Sequence, residues 1–330
     1  MTEPVCIDCP PGPGPAMRVA GMSVLERLVR EAIRAGAPRV IVRGDIRELP
    51  ALPVLTAPID LLAPDAPVPA GAKVTPGDTV LGIQVSDEAS RERAESAMMQ
   101  SCRRPYDGPG DRYVIRPVSL RISRALTRLP VSPNQVTLVS ICFGIAACVM
   151  ALRPGRLAMA LAGALIIVQV ILDSCDGELA RVRHMGSKLG MWLDNLSDDL
   201  IDNGFVLAVG FGVGGPWRWV ALAAVIGKGF CALVTYHGAA KVGAPGDVMA
   251  FRWWFESKVT MAEVSTLFAQ KTDALTIVRA IGRRDVYVLI YGVACAAQVP
   301  WVTVGLGAVL GGVYFALAGA HILLSKGAAR

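Results

Sequence analysis

The chain has 330 residues, enough for two ordinary domains or for one membrane domain with a modest soluble piece. Hydrophobic residues make up 53% and charged residues only 18%, against about 25% in soluble globular proteins, which excludes a disordered chain and argues against an ordinary cytosolic enzyme. The net charge of +6 suits an anionic ligand or anionic lipid, and no Lys/Arg run is interleaved with aromatics as nucleic-acid binding would ask.

Thirteen of the 22 prolines fall within the first 76 residues, whereas the long uncharged runs begin only after Pro133. Met1 to Pro15 is rich in Pro and Gly with no basic or apolar leader region, so no signal peptide is expected and the stretch reads as a mobile tail. Cys6 and Cys9 form a lone C-x-x-C there; with no second pair, metal or redox use is not expected, and the eight scattered cysteines make no disulfide framework. Apolar residues at helical spacing after Ser23 predict a helix capped by Ser23 and ended by Gly36, with a strand over Arg39 to Arg43. Pro50 to Ala72 reads as loop and Asp78 to Val85 as one more strand. Residues 1–105 are expected to form a small cytosolic α/β domain.

Residues 111–129 mix Arg112, Arg116, Arg121, Arg124 and Arg128 with Val, Ile and Leu, a basic amphipathic segment suited to the headgroup plane. Val136 to Leu152 and Leu157 to Leu172 carry no charge, a third apolar stretch follows Ile201, and a fourth runs from Trp217 to Tyr236. Val286 to Ser325 is forty residues without Asp, Glu, Lys or Arg. At about 20 residues per span, and with Pro300 near its middle, it supplies two helices. The expected fold over residues 106–330 is therefore an α-helical integral membrane protein with six transmembrane helices and an amphipathic juxtamembrane helix. The cations concentrate around Arg181, Arg183 and Lys188 and between Lys241 and Arg284, which places both termini and these loops on the cytoplasmic side of the cytoplasmic membrane.

At the end of the second span the sequence reads Asp173-Ser-Cys-Asp176-Gly177-Glu-Leu-Ala180-Arg181, followed by Gly190, Asp194 and Asp198. Carboxylates at i, i+3 on one helix and i, i+4 on the next share single faces, and a short turn lets all four converge. Acids at a membrane helix end face a wet cavity or a metal, and clustered carboxylate oxygens suit hard cations such as Mg²⁺ that bridge to phosphate. The spaced pattern D-x2-D-G-x2-A-R-x8-G-x3-D-x3-D arises by chance on the order of once per billion start positions at average composition.

This pattern resembles the signature of the CDP-alcohol phosphotransferase family, with no departure. Pro133-Asn134-Gln-Val-Thr137 before the first span is similar to that family as well, so the likeness covers about residues 105–330. The resemblance implies a membrane transferase, dependent on Mg²⁺ or Mn²⁺, that displaces CMP from a CDP-linked alcohol with a second alcohol, in phospholipid or polyol-phosphodiester synthesis. It implies Asp173, Asp176 and Asp194 as metal ligands, with Asp198 completing the metal site and serving as catalytic base. Gly177, Ala180, Arg181 and Gly190 would line the cytidine diphosphate site, with Asn134 and Thr137 nearby.

Gly21 to Val42 resembles the middle of sugar-nucleotide cytidylyltransferases. With Tyr106-Asp107-Gly108 and Arg116-Pro-Val-Ser119, the layout is similar to bifunctional inositol-phosphate cytidylyltransferase and di-myo-inositol-phosphate-phosphate synthase proteins. It departs from them before Gly21, where no G-x-G-x-R and no following Lys-Pro occur. A nucleotidyl-transfer site needs backbone amides and a cation around the triphosphate, so a truncated, catalytically inert domain with a docking or structural role is expected.

Lys228 lies in an otherwise apolar span and is a functional candidate on that ground. With Arg279 and Arg283 ahead of the fifth span, and Arg116, it is expected to hold an anionic acceptor such as a polyol or inositol phosphate. Arg284 stands beside them. Asp199 and Asp202 are extra acids, Asp202 being read as a polar contact between helices, and His184 and His237 as solvent-facing. A homodimer is compatible with this reading. Two other classes compete: an aspartate-rich membrane prenyltransferase, which would not need Gly177, Ala180 and Arg181 at these spacings, and a non-enzymatic transporter or scaffold.

Overall fold

A computed structural model of the chain describes residues 3–45, 58–105, 107–244, 250–254 and 281–327. The chain divides into two compact units, one of residues 1–103, 122–131 and 178–185 and the other of residues 104–121, 132–177 and 186–330.

The first unit contains β1 (Val5–Asp8), β2 (Arg18–Val19), β3 (Met22–Ser23), α1 (Val24–Arg34), β4 (Val40–Arg43), β5 (Ile59–Leu62), β6 (Lys73–Pro76), β7 (Thr79–Val80), β8 (Ile83–Gln84) and α2 (Glu88–Ser101). A four-stranded sheet runs in the order β5-β4-β1-β6, with each neighbouring pair parallel. The expected tail is thus corrected: Val5–Asp8 is an inner strand, with Cys6 facing Ile41 on one side and Val74 on the other. Cys6 and Ile7 are fully buried. A short parallel strand covered on both faces reads as a brief apolar run rather than an alternation, and prolines at 4 and 10 hide it further. Burial, with Asp8 beside it, pushes the Cys9 thiol up to about 12.

The stretch expected to be loop carries β5, an edge strand whose Asp60 pairs with Arg39. The single strand expected over residues 78–85 is instead a tight hairpin, in which Leu81 and Gly82 both take positive φ (50° and 79°) to turn β7 into β8. α1 begins as expected, Ser23 Oγ accepting from Glu26 N at 3.2 Å, and Gly36 (φ 81°) follows its end. α2 has no apolar stripe to announce it; its start is set by a capping box of Asp87 and Ser90. His184, expected in solvent, is 16% exposed with Nε2 3.3 Å from Glu31.

Among the described residues the remaining helices are α3 (Arg116–Leu126), α4 (Pro133–Ala151), α5 (Arg156–Val182), α6 (Lys188–Val213), α7 (Trp217–Lys241), α8 (Arg284–Ala296) and α9 (Trp301–Gly327). Four of them, α4, α5, α7 and α9, are long and apolar enough to cross a membrane. The expectation of six spans is met only to that extent: α6 has the length but carries Asp194, Asp198, Asp199 and Asp202, and α8 has 13 residues. Ser132 and Gln135 form a capping box that starts α4 with Pro133 in its first turn.

Ile166, Phe205, Val209, Val288 and Val304 form the centre of the helical core. Leu138, Ile145, Leu157, Phe211, Leu233 and Val309, on α4, α5, α6, α7 and α9, are exposed, the outward apolar face that lipid would cover. Small residues set the closest approaches. A side chain at Gly163 would run into the carbonyl of Gly292, and one at Gly227 into that of Gly311, so α5 meets α8 and α7 meets α9 backbone to backbone.

Candidate active site

The motif straddles the end of α5 and the start of α6, joined by residues 183–187. Ser187 caps α6 by accepting from Gly190 N at 2.9 Å, which fixes where Asp194 and Asp198 fall on the helix. Asp173 and Asp176 lie three residues apart on α5, so their carboxylates leave one face. The result is a cluster in which carboxylate oxygens of Asp173, Asp176 and Asp194 all lie within 4.8 Å of one another.

Asp176 is 5% exposed and accepts from Thr137 Oγ1 on α4 at 2.5 Å. The buried Oδ1 of Asp173 has no hydrogen-bond partner among the described residues. Three converging carboxylates with an unmatched buried oxygen fit a hard divalent cation, whose charge would offset the repulsion between them. Asn134 stands on the first turn of α4 beside Gly190, where an added Cβ would lie 3.1 Å from Asn134 Oδ1. Gly177 follows Asp176 directly. Ala180 and Arg181 come on the next turn of α5, in the part of that helix that belongs to the first unit.

Asp198 stands outside the three-carboxylate cluster. Its Oδ1 is 2.7 Å from Nη2 of Arg284, the first residue of α8. The same guanidinium reaches Asp173 Oδ2 at 2.8 Å and Asp202 Oδ2 at 3.3 Å. Asp202, 2% exposed, also accepts from Tyr287 Oη at 2.7 Å and from Lys228 Nζ at 3.3 Å. Lys228 Nζ donates to Tyr287 Oη at 2.8 Å, closing a three-membered polar ring, while Asp199 accepts from Tyr236 Oη at 2.9 Å. Burying so many ionised groups is tolerable only because acids and cations are matched one against another.

These side chains open onto a cavity of about 300 Å³ lined by Asp198, Asp199, Lys228, Tyr236, Arg284 and Tyr287, with Trp253 and Tyr314. Of the four cations expected at an acceptor, Lys228 lines it. Arg283 does not; its Nε pairs with Asp285 Oδ1 at 2.8 Å. Arg116 is 5% exposed and pairs with Asp107 at 3.1 Å, which also takes it out of the headgroup-facing role expected for it. Arg279 lies outside the described residues. Arg284 was read from the sequence only as one of the cations ahead of the fifth span, and its pairing with Asp173, Asp198 and Asp202 was not foreseen. The signal for it was the surplus of acids on α6: Asp198, Asp199 and Asp202 need more positive charge than Lys228 supplies, and Arg284 opens the next apolar run.

A sequence model described as CDP-alcohol phosphatidyltransferase matches residues 130–304. A protein of Thermococcus kodakarensis named bifunctional IPC transferase and DIPP synthase is 33% identical over 178 residues, 52% of this chain and 40% of that protein. A protein of the same name from Rubrobacter xylanophilus is 38% identical over 164 residues, 48% of this chain and 34% of that one. The archaetidylinositol phosphate synthase of Pyrococcus horikoshii is 33% identical over 109 residues, 33% of this chain and 55% of its own length. The chain thus matches well under two thirds of the length of each of these relatives.

Proposed function

The chain belongs to the CDP-alcohol phosphatidyltransferase family, and we propose that it transfers a phospho-alcohol group, phosphatidyl or phosphopolyol, from a CDP-alcohol to an acceptor alcohol with release of CMP. The observation that carries this reading is the three-carboxylate cluster of Asp173, Asp176 and Asp194 beside a cavity holding Asp198, Lys228 and Arg284. The six helices α4 to α9 span the membrane in this reading. The positive-inside bias puts the termini and the site at the cytoplasmic face of the cytoplasmic membrane.

Asp173, Asp176 and Asp194 would hold Mg²⁺ or Mn²⁺, which when bound neutralises the diphosphate and the departing CMP. The nucleotide would lie along Gly177 and Gly190, beside Asn134 and Thr137 at the start of α4. The acceptor enters the cavity on the α7–α8 side. Asp198 takes the proton of the acceptor hydroxyl as its oxygen bonds to the donor's distal phosphorus, and the bond from that phosphorus to CMP breaks. Arg284, 2.7 Å from Asp198, fixes the direction of that carboxylate. Lys228 and Arg284 are the cations on the cavity wall that would meet an anionic acceptor, a polyol or inositol phosphate being the class proposed. The name of the Pyrococcus horikoshii relative, an archaetidylinositol phosphate synthase, supports that choice.

The test is to incubate membranes carrying the chain with a panel of CDP-alcohols and phosphorylated polyols and to follow CMP by mass spectrometry. CMP should form only when one donor and one acceptor are both present. Pyrophosphate release from a prenyl diphosphate, with no CMP from any donor, would replace this reading with the prenyltransferase one.

A further inference from the structure

The first unit holds a second cavity, of about 590 Å³, lined by residues of β2–β3, α1, α2, the segment 127–130 and the turn after α5. Five arginines reach it: Arg18, Arg30, Arg91, Arg128 and Arg183. Only two acids, Glu26 and Glu95, face them.

Both acids are already engaged. Glu26 pairs with Arg30 at 2.9 Å, and Glu95, 2% exposed, serves Arg91 at 2.9 Å and Arg124 at 2.6 Å. Arg183 is spent on backbone: it donates to the carbonyls of Leu129 (2.6 Å), Thr127 (3.0 Å) and Val131, which ties down the segment forming one wall. Arg18 and Arg128 remain, both exposed, with no ion pair or side-chain hydrogen bond among the described residues. Burial, with the like charge of Arg18 behind it, pulls the Arg183 guanidinium below its usual value. Guanidinium groups thus face one cavity with more positive charge than its acids can match.

We propose that this cavity binds a phosphate-bearing ligand, a soluble phosphate ester or the headgroup of an anionic phospholipid, through Arg18 and Arg128. The planar fork of a guanidinium matches phosphate with two parallel hydrogen bonds. The volume admits more than an inorganic ion, and Leu129, 51% exposed on the rim, offers an apolar contact beside the charge. None of these residues belongs to the transferase motif, so the inference stands apart from the reaction proposed above.

The experiment uses the full chain purified in uncharged detergent, with EDTA present so that the carboxylate cluster carries no metal. Calorimetric titration with inorganic pyrophosphate is run on wild type, on R18A/R128A and on R34A, which removes an exposed charge on α1 away from the cavity. In parallel, melting temperatures are measured in bilayer discs of phosphatidylcholine alone and of phosphatidylcholine mixed with phosphatidylglycerol; the phosphatidylcholine discs also report folding. A roughly tenfold weaker pyrophosphate affinity in R18A/R128A, with R34A unchanged, identifies a soluble phosphate ligand. Stabilisation by phosphatidylglycerol that R18A/R128A alone loses, with pyrophosphate binding unaltered, identifies a headgroup. Equal behaviour of wild type and R18A/R128A in both arms overturns the proposal.

Discussion

Arg284 lies 2.7 Å from Asp198 and, through the other arm of its guanidinium, 2.8 Å from Asp173. One cation at the start of α8 therefore joins the acid proposed as base to an acid of the metal cluster, and ties α5 to α6. Replacing it leaves Asp173 and Asp198 without this cation, and Asp202 with Lys228 and Tyr287. Arg284→Ala should destabilise the chain by about 3–5 kcal/mol, the usual cost of breaking a buried pair from one side. CMP release should fall by roughly 10²–10³-fold. Thermal melts and rates together check this, and a variant that melts and turns over like wild type would separate Arg284 from the site.

Asp202 and Lys228 form the deeper pair, bridged by Tyr287. Asp202→Asn and Lys228→Met should each destabilise, the first leaving Lys228 with Tyr287 and the second leaving Asp202 with Arg284 and Tyr287 in a buried place. The double variant should lose less than the sum of the two, by about 1 kcal/mol or more. Strict additivity in denaturation experiments would mean that the two side chains do not stabilise one another.

Lys228 also faces the cavity, so it has a second, separable role. Lys228→Gln keeps a hydrogen-bonding head for Asp202 but removes the charge. Its expected signature is a raised KM for an anionic acceptor, with kcat and the donor KM little changed, the pattern of lost uniform binding. An unchanged acceptor KM would place the anionic group elsewhere.

The long uncharged runs, the Ser23 cap of α1 and the four motif acids were legible because each is a local pattern, readable within one or two helical turns. What sequence reading missed came from partners far apart in the chain. Arg284 and Asp202 are 82 residues apart, and nothing local to either announces the other. Strand β1 was hidden for a related reason: Val5–Asp8 is a strand only because β4 and β6 arrive on either side of it. The hairpin over Thr79–Gln84 was read as one strand because the Leu81-Gly82 turn sits inside an apolar run. Arg116 was placed among headgroup-facing arginines and the acceptor cations, whereas it is buried against Asp107.

Asp111, ahead of the spans, supplies a pH test. Burial, with Asp285 as the next cause, raises its carboxyl from 3.8 to about 6. The folded chain therefore keeps a proton that the unfolded chain has lost between about pH 4 and pH 6, and stability from this group falls as pH rises through that window. Asp111→Asn, neutral throughout, should melt close to wild type near pH 4 and above it near pH 7. A gap between the two melting temperatures that narrows on raising the pH would reverse the sign and refute the assignment.

The most direct measurement of the central claim is the rate of CMP release from a CDP-alcohol by the purified chain, titrated with Mg²⁺, for wild type, Asp176→Asn and Asp194→Asn. The account predicts a saturable requirement for Mg²⁺, loss of activity in EDTA, restoration by Mn²⁺, and in both variants a weakened metal dependence together with weakened donor binding. Full CMP release in EDTA, or wild-type metal and donor dependence in either variant, would contradict it.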